Sequence, residues 1–276
     1  MATPEPHPPH RTRQPDQPRV ALVTGAARGI GAATVATLAE AGWRVLAVDV
    51  AADDPDLPYA MGTRTELEQV ATDAGPNVIT ARADVRDVDA LARAVATAEH
   101  RWGHLDAALA VAGVIAGGVP AWEVPAGQEQ AVLDIDLGGV INLARVAVPA
   151  LLRHPEPRQG RFLAVASAAA TRGLPMLAAY CAAKSGVAGF IRALGAELRD
   201  SGVTANAVSP GSTATPILDE SARLYGLPAR ENFAAQQPLG RLLDPAEVAA
   251  VLAFLAGDGA SAMTGAVIPV DGGLAL

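Results

Sequence analysis

The amino-acid sequence predicts an α/β fold, a doubly wound parallel sheet of about seven strands with helices on both faces. Three observations predict it: short β-rich runs alternate with longer Ala/Leu-rich segments of helical period, the runs are apolar almost throughout, and half of the 276 residues are hydrophobic. Strands that helices cover on both sides are apolar at nearly every position. Strand followed by helix, repeated along a chain, produces right-handed crossovers and a parallel sheet.

The strands are predicted at the short apolar runs, which begin with RVALVT and end with AVIPVD. Their ranges are 19–24, 44–49, 77–82, 105–112, 161–167, 203–208 and 266–271. The segments between them repeat apolar residues three or four positions apart, as amphipathic helices do. The predicted helix ranges are 29–41, 64–74, 87–102, 127–153, 176–200 and 244–256.

Residues 1–18 contain six prolines and no apolar periodicity, which predicts a disordered proline-rich tail. Nothing in residues 19–276 resembles a linker, so we expect a single domain there. Two segments interrupt the alternation of strands and helices, an insertion at 50–66 and a segment at 212–243. Long irregular segments in compact domains are usually functional, and we expect the second one to be a substrate lid.

Composition and charge exclude several classes of function. There are 21 Lys and Arg against 29 Asp and Glu, a net charge of -8, and no basic stripe is visible, so we expect no nucleic-acid partner. The sequence has no 18-residue uncharged apolar run and no signal-peptide pattern, which predicts a cytoplasmic protein without membrane association. The single cysteine, Cys181, cannot form an internal disulfide and fits a reducing compartment.

The stretch VTGAARGIG, residues 23–31, follows the first strand and opens a helix, as a nucleotide-binding glycine loop does. Gly25 suits the tight turn, and Gly29 and Gly31 let the backbone and the helix N-terminus approach a pyrophosphate. An ordinary turn between strand and helix would also contain such glycines. Asp49, at the end of the second strand, favours the nucleotide because it can accept hydrogen bonds from both ribose hydroxyls and repels a 2'-phosphate. The sequence therefore predicts NAD rather than NADP.

Two further positions can contact the nucleotide, and each has an alternative. The Arg28 guanidinium lies beside the glycines and can pair with a phosphate, which argues mildly for NADP. Asp84 and Val85 follow the third strand and can meet the adenine amino group and its ring. Asp84 can equally cap the helix that follows, and the sequence leaves these two roles open.

The chemistry is predicted on the stretch AAYCAAKSG, residues 178–186. Tyr180 and Lys184 lie at i and i+4 and so share a helix face, and Ser167 ends the fifth strand at the carboxyl edge of the sheet. A lysine ammonium stabilises a phenolate and lowers the tyrosine pKa, which makes it a usable base, and a serine hydroxyl can hold the substrate oxygen. Each residue alone has an ordinary structural role. Together, behind a dinucleotide loop, they predict redox chemistry on an alcohol, in which positioned acid–base groups contribute roughly 10² to 10⁴ in rate.

These motifs together resemble the short-chain dehydrogenase/reductase family. Its threonine-glycine motif is matched by Thr24, Gly25, Gly29, Ile30 and Gly31, and its catalytic serine, tyrosine and lysine by Ser167, Tyr180 and Lys184. The stretch AVAG contributes Ala112 and Gly113, and AVSPGSTATP resembles the family's proline-glycine segment, with Pro210, Gly211, Thr213 and Thr215.

The resemblance runs from about residue 19 to the end of the chain. It implies a Rossmann-type fold, hydride transfer between an alcohol or ketone and a nicotinamide, and a homotetramer. It also implies that Thr213 and Thr215 lie near the nicotinamide carboxamide, and that Tyr180 and Lys184 contact the cofactor as well as the substrate, the lysine at the nicotinamide ribose.

A narrower resemblance is to the branch of short-chain dehydrogenases associated with mycofactocin, a peptide-derived redox cofactor of actinobacteria. It rests on the insertion DDPDLPYAMGTRTELEQV together with ADVRD, VAGVIAGG and QPLGRLLDPAEVA. It implies that NAD is held tightly and is re-oxidised through mycofactocin as electron acceptor instead of exchanging. We expect the insertion to close over the adenosine end and to slow NAD release.

One position departs from the family pattern beside the catalytic residues. The family has an asparagine in the helix before the fifth strand, where the stretch DIDLGG places Asp136. In the family the main-chain carbonyl of that asparagine holds a water that relays protons to the lysine, and a main-chain carbonyl survives the replacement. A carboxylate accepts hydrogen bonds but does not donate them, so we expect Asp136 to change the local charge beside Lys184.

The substrate is predicted to be a small apolar alcohol or ketone. Leu218, Leu224, Tyr225 and Phe233 can line an apolar pocket or can fold the lid onto itself, and the sequence favours neither.

No metal site is predicted. His100 and His104 have a spacing that can bind metal, but Gly103 is expected to end the helix between them, and we expect both histidines on the surface. Cys181 neighbours Tyr180 in sequence and is expected to be a packing residue.

Two other functions fit the same motifs. A freely exchanging NADPH-dependent 3-oxoacyl or ketone reductase would share every motif except the acid at Asp49. A non-catalytic nucleotide-sensing or scaffold protein would share the fold, although the presence of Ser167, Tyr180 and Lys184 argues against it. We expect an NAD-dependent oxidoreductase that interconverts a secondary alcohol and a ketone.

Overall fold

Seven parallel strands form one sheet through the centre of the molecule. The computed structural model describes residues 17–156 and 158–276, and most of the tail predicted at 1–18 lies outside the described residues. The strand order is β3-β2-β1-β4-β5-β6-β7, with every neighbouring pair parallel. The strands are β1 Val20–Thr24, β2 Arg44–Asp49, β3 Val78–Arg82, β4 Ala107–Ala110, β5 Arg161–Val165, β6 Thr204–Pro210 and β7 Val267–Val270. The predicted doubly wound sheet is confirmed.

Helices cover both faces of the sheet. They are α1 Gly29–Glu40, α2 Arg64–Ala74, α3 Val88–Trp102, α4 Ala126–Leu133, α5 Gly139–Arg153, α6 Ala178–Glu197, α7 Pro216–Leu224 and α8 Pro245–Ala256. One core lies between the sheet and α3, α5 and α6, and the other lies between the sheet and α1, α2 and α8. Successive strand residues such as Val45 and Leu46 enter opposite cores, because side chains alternate along a strand. Burial on both faces explains why inner strands such as β1, β4 and β5 are apolar at nearly every position, whereas the edge strands β3 and β7 are partly exposed.

The helix predicted at 127–153 is divided by one π-helical turn, Asp134–Gly138, between α4 and α5. A π turn inserts one residue into the helical repeat and is common at functional sites. The whole segment Ala126–Arg153 is long and apolar enough to cross a membrane by length and composition, but half of its apolar 18-residue window is buried within the protein. Buried core helices pass the same test, and α5 packs on β4 and β5 of the sheet.

The segment at 212–243 was expected to be irregular, but it contains α7 and a 3₁₀ helix at Arg230–Gln236. Pro216 occupies the first turn of α7, where a missing N–H costs nothing. The signal is weak in the sequence because the helix has only nine residues, too few for a clear period.

The amino edge of the sheet holds a small cluster of polar side chains. The Asp106 carboxylate lies 3.0 Å from His104 Nε2 and 3.6 Å from His154 Nε2, and it accepts a hydrogen bond from the Val20 N–H at 2.7 Å. The expectation that His104 lies on the surface is therefore wrong, since its side chain is 9% exposed. Gly103 does end α3 in the left-handed conformation, as predicted, and the turn it makes directs the chain into β4.

The carboxyl edge of the sheet is where the predicted site residues meet. The strand order reverses between β1 and β4, and in doubly wound sheets the crevice at such a reversal binds the ligand. The loops that follow the first six strands all reach this edge. They carry Gly25, Asp84, Ala112, Ser167 and Gly211, and Asp49 is the last residue of β2.

Candidate active site

The glycine loop after β1 forms one end of a cavity of about 630 Å³. Gly25 has φ +67°, and a Cβ there would lie 2.6 Å from the Ala112 Cα. A Cβ on Gly31 would lie 1.9 Å from the Gly25 carbonyl oxygen, so both positions require glycine. No side chain caps the N-terminus of α1, and Gly29 and Ile30 line the cavity there. An uncapped helix N-terminus at a concave wall fits a pyrophosphate.

Asp49 lies at the end of β2 on the same wall and is 9% exposed. Its two carboxylate oxygens accept the Ala27 N–H at 3.0 Å and the Ala51 N–H at 2.9 Å. Each oxygen retains a further lone pair, so the held carboxylate can still accept hydrogen bonds from ribose hydroxyls. A 2'-phosphate would meet this negative charge, and the wall therefore fits NAD better than NADP.

Asp84 follows β3 and does not cap the next helix, because Asp87 does so by accepting the Ala90 N–H. The Asp84 carboxylate instead binds Arg86, with Nη2 and Oδ2 2.6 Å apart. Burial raises the pKa of Asp84, but hydrogen bonds from Arg86 outweigh it and hold this pKa below its ordinary value. Asp84 and Val85 both line the cavity, and their contact with adenine stays a prediction.

The insertion that follows β2 is tied to the nucleotide end of the cavity at three points. Arg86 Nη1 lies 2.7 Å from Asp54 Oδ2 within the insertion. Arg28 Nη2 donates to the Ala60 carbonyl at 2.9 Å, so this guanidinium, considered above as a phosphate ligand, is bound to the insertion. The Tyr59 hydroxyl accepts the Ile115 N–H at 3.0 Å, and burial raises the pKa of this tyrosine.

Ser167, Tyr180 and Lys184 come together where β5 and α6 meet. Ser167 Oγ accepts the Ala169 N–H at 3.1 Å, and its hydroxyl acts to lower the pKa of Tyr180. Lys184 Nζ lies 5.6 Å from the centre of the Tyr180 ring and donates to the Val165 carbonyl at 3.1 Å. Lys184 is 4% exposed, so its charge acts on the tyrosine with little screening by water.

Asp136 contacts the catalytic lysine directly. It is fully buried in the π turn, its Oδ1 accepts the Val114 N–H at 2.7 Å, and its Oδ2 lies 3.2 Å from Lys184 Nζ. Burial lowers the pKa of Lys184, but the negative charges of Asp136 and Tyr180 outweigh it and raise this pKa above its ordinary value. The sequence predicted a change of local charge at this position. It did not predict an ion pair.

The pKa of Tyr180 differs from the sequence prediction. Lys184 was expected to lower it, but burial raises it more than Lys184 lowers it, and the Asp136 carboxylate raises it further. The net pKa of Tyr180 therefore lies above its ordinary value. The prediction neglected burial and the negative charge beside the lysine, both of which disfavour a phenolate.

The proline-glycine segment is held by a residue that sequence reasoning missed. Gln237 is 2% exposed, its Oε1 accepts the Ser212 N–H at 2.8 Å, and its Nε2 donates to the Arg241 carbonyl at 2.6 Å. These bonds hold the residues that line the cavity opposite the glycine loop, which are Pro210, Gly211, Thr213 and Thr215. A Cβ on Gly29 would lie 3.3 Å from the Thr215 methyl group, so the two walls are close.

The other end of the cavity, which we call the substrate half, lies between the loop at 172–177, the segment at 212–243 and Leu274. We use the name lid for the segment at 212–243, and its movement stays a prediction. Three of the four candidate pocket residues, Leu218, Tyr225 and Phe233, line it. Leu224 does not, since it packs outside this cavity against Gly118. The lid also folds on itself, with the Tyr225 and Phe233 rings 6.1 Å apart.

Two contacts position the loop at 172–177. The Tyr225 hydroxyl donates to the Pro175 carbonyl at 2.7 Å, which ties the loop to the lid. The Cys181 sulfur accepts the Leu174 N–H at 3.4 Å. The cysteine does not line the cavity and supports the loop from behind.

This arrangement can move a proton to or from an alcohol oxygen. The Ser167 hydroxyl can hold that oxygen, the Tyr180 hydroxyl can exchange the proton, and the Lys184 charge stabilises the phenolate form. The glycine loop, Asp49 and the proline-glycine segment would hold NAD, which supplies a hydride acceptor when bound. Beyond these placements, the catalytic and binding roles of the individual residues stay predictions.

Comparisons with known proteins agree with this chemistry. Residues 25–275 match the family described as Enoyl-(Acyl carrier protein) reductase. The chain is 40% identical over 258 residues, 92% of this chain and 96% of the relative, to cis-4-hydroxycyclohexanecarboxylate dehydrogenase from Sinomonas cyclohexanicum. It is 36% identical over 272 residues, 94% of this chain and 98% of the relative, to (-)-trans-carveol dehydrogenase from Rhodococcus erythropolis.

A similar structure has also been solved, that of carveol dehydrogenase from Mycobacterium avium in complex with NAD. Its TM-score is 0.87 at 30% identity, and the similarity covers 94% of this chain and 98% of that one. The sequence matches span nearly all of the chain and include the glycine loop, the tyrosine–lysine helix and the lid. The chain belongs to the short-chain dehydrogenase/reductase family and is an NAD(P)-dependent oxidoreductase that acts on CH–OH groups.

Proposed function

We propose that the protein interconverts a secondary alcohol and a ketone on a small, largely apolar, alicyclic substrate, with NAD as the nucleotide. One observation carries the proposal. Tyr180 and Lys184 lie on the wall of a cavity whose one end has the glycine loop and Asp49, and whose other end is apolar. A base, a charge that stabilises it and a nucleotide cradle thus face one shared space.

In the oxidation direction the Tyr180 phenolate accepts the alcohol proton while Ser167 holds the oxygen. The Lys184 ammonium, which the ion pair with Asp136 keeps protonated, stabilises the phenolate. In the reduction direction the Tyr180 hydroxyl donates its proton to the carbonyl oxygen. The raised pKa of Tyr180 keeps the hydroxyl form abundant near neutral pH, and it favours this second role.

An alicyclic substrate fits the substrate half by polarity. Its wall consists largely of apolar side chains, including Leu174, Leu218 and Phe233. Two relatives are named for alcohols of this kind, carveol and a hydroxycyclohexanecarboxylate. Hydrophobic walls of this type bury most of a small ligand and leave orientation to a few polar groups.

We further propose that NAD is held tightly and is re-oxidised through mycofactocin. Support for slow release comes from the insertion, because its contacts with Arg86, Arg28 and Ile115 must break before it can move away from the adenosine end. Support for mycofactocin comes from the resemblance of the insertion and the flanking motifs to that branch of the family.

The test is to purify the protein, desalt it and measure the NAD that remains after acid precipitation. We expect a stoichiometric amount of NAD, and alicyclic alcohols that reduce an artificial electron acceptor faster than they reduce added NAD. Protein that carries no NAD and turns over freely with added NAD would show that tight retention is wrong. A preference for NADPH would favour a freely exchanging ketone reductase.

A variant at the catalytic tyrosine tests the chemistry itself. Tyr180→Phe removes the proton-exchanging hydroxyl but keeps the ring, and we expect activity to fall by roughly 10² to 10⁴ with NAD binding retained. Activity equal to that of the unmodified protein would contradict the catalytic assignment and would favour a nucleotide-sensing role.

We also propose that the protein is a cytoplasmic homotetramer, as the family resemblance implies. Light scattering on the purified protein tests the assembly, and fractionation of expressing cells tests the location. A monomer in solution, or protein in the membrane fraction, would contradict the proposal.

A further inference from the structure

Charges are distributed unevenly along the wall of the cavity. The nucleotide end is lined by six ionisable side chains, Arg28, Asp49, Asp53, Asp54, Asp84 and Arg86. At the reacting centre Asp136 and Lys184 neutralise each other. Among the residues that the structure describes, Arg172 is the only ionised side chain on the substrate half.

Arg172 is held at this position but is not neutralised. Its Nη1 donates to the Leu274 carbonyl at 2.5 Å, and its backbone N–H donates to the Ala168 carbonyl at 3.0 Å. None of the ion pairs within residues 17–156 and 158–276 includes Arg172. A guanidinium has five N–H donors, so most of its donors remain available to a ligand.

We propose that Arg172 binds a carboxylate on the substrate, which makes it a specificity-determining residue. The inference rests on the proposed function, since it concerns the substrate of the same site. A guanidinium presents parallel N–H groups that match the two oxygens of a carboxylate. Because the described part of this half holds a single cation, it matches a monoanion better than a doubly charged phosphate. The substrate is then an alicyclic hydroxy acid, with the hydroxyl at Tyr180 and the carboxylate at Arg172.

The position of Arg172 limits the size of its effect. Its side chain is exposed at the mouth of the cavity, where water and salt screen a charge pair. We therefore expect a gain of roughly ten-fold in binding, within the range of charge-assisted hydrogen bonds, and we expect added salt to reduce it.

The experiment compares two alcohols that differ only in charge, 4-hydroxycyclohexanecarboxylate and 4-hydroxycyclohexanecarboxamide. The protein variants are Arg172→Gln, which removes the charge, Arg172→Lys, which keeps it, and the surface variant Arg93→Gln as control. We expect Arg172→Gln to raise KM for the carboxylate roughly ten-fold with little change in kcat, and to affect the carboxamide much less. Arg172→Lys should retain part of the preference for the carboxylate over the carboxamide. Arg93→Gln should behave as the unmodified protein.

Two outcomes would overturn the inference. One is equal kcat/KM for both alcohols in the unmodified protein. The other is an equal loss for both alcohols in Arg172→Gln, which would show that Arg172 supports only the contact with Leu274.

A binding measurement separates failure of this inference from failure of the proposed function. Calorimetry with cyclohexanecarboxylate and cyclohexanecarboxamide needs no turnover. If neither alcohol is oxidised but the carboxylate still binds more tightly through Arg172, the proposed reaction is wrong and the anion site stands. If the two ligands bind equally, the anion site is wrong whatever the activity.

Discussion

The Asp136→Asn variant tests how the buried ion pair controls the catalytic lysine and tyrosine. The amide keeps an acceptor for the Val114 N–H and removes the negative charge from Lys184. At 3.2 Å and an effective dielectric constant of about 20, two unit charges attract by about 5 kcal/mol. Burial of both ions opposes this attraction, and removal of one partner of a buried pair costs about 3–5 kcal/mol. We expect the free energy of unfolding to fall by about 3 kcal/mol at neutral pH.

The same change should shift the pH profile of the reaction. Asp136 raises the pKa of both Tyr180 and Lys184, so its removal lowers both. A base is active above its own pKa, and Tyr180 needs the Lys184 charge, which is lost above the lysine pKa. Both limbs of the kcat/KM profile for alcohol oxidation should therefore move to lower pH.

The assay is kcat/KM against pH with an artificial electron acceptor, together with urea unfolding. Asp134→Asn is the matched control, because Asp134 lies in the same π turn but is exposed. Among the described residues its carboxylate accepts a hydrogen bond only from the Gln130 side chain. A profile of Asp136→Asn that overlies that of the unmodified protein would refute the reasoning, as would an equal shift in Asp134→Asn.

Two other predictions concern the nucleotide. Asp49→Asn removes the negative charge that faces the ribose, and we expect the ratio of NADP affinity to NAD affinity to rise at least ten-fold in equilibrium binding; an unchanged ratio would contradict the assignment of Asp49. Arg86→Gln breaks the contact with Asp54, and we expect NAD to dissociate several-fold faster in a stopped-flow release assay. The control variant is Arg64→Gln, because Arg64 is an exposed residue on α2. Equal release rates in both variants would show that the insertion does not retain NAD through this contact.

Prediction from the sequence succeeded where the signal is local. All seven strands were placed within two residues of their observed ends, because each is a short, mostly apolar run between helical segments. The i, i+4 spacing of Tyr180 and Lys184 puts them on one helix face whatever surrounds the helix. Prediction was poorer where the signal is short, as in α7, or where one inserted residue changes the helical repeat, as in the π turn at Asp134–Gly138.

Contacts between distant parts of the chain could not be predicted. The family resemblance placed Asp136 near Lys184, but it did not predict the ion pair, which depends on the distance between the two charged groups. No pattern in the sequence links Arg172 to Leu274. His104 was placed on the surface because its partners, Asp106 and His154, come together only when the strands pair. Gln237 carries no sequence signal, since its role depends on the backbone of another loop.

Local sequence thus sufficed for the fold class, the glycine loop and the identity of the tyrosine–lysine pair, because hydrophobic period and residue spacing act over a few positions. Tertiary structure decided the direction of the Tyr180 pKa, the charge state beside Lys184 and the place of Arg172 on the cavity wall. These properties depend on burial and on distances between charges. Both are set by the residues that folding brings together.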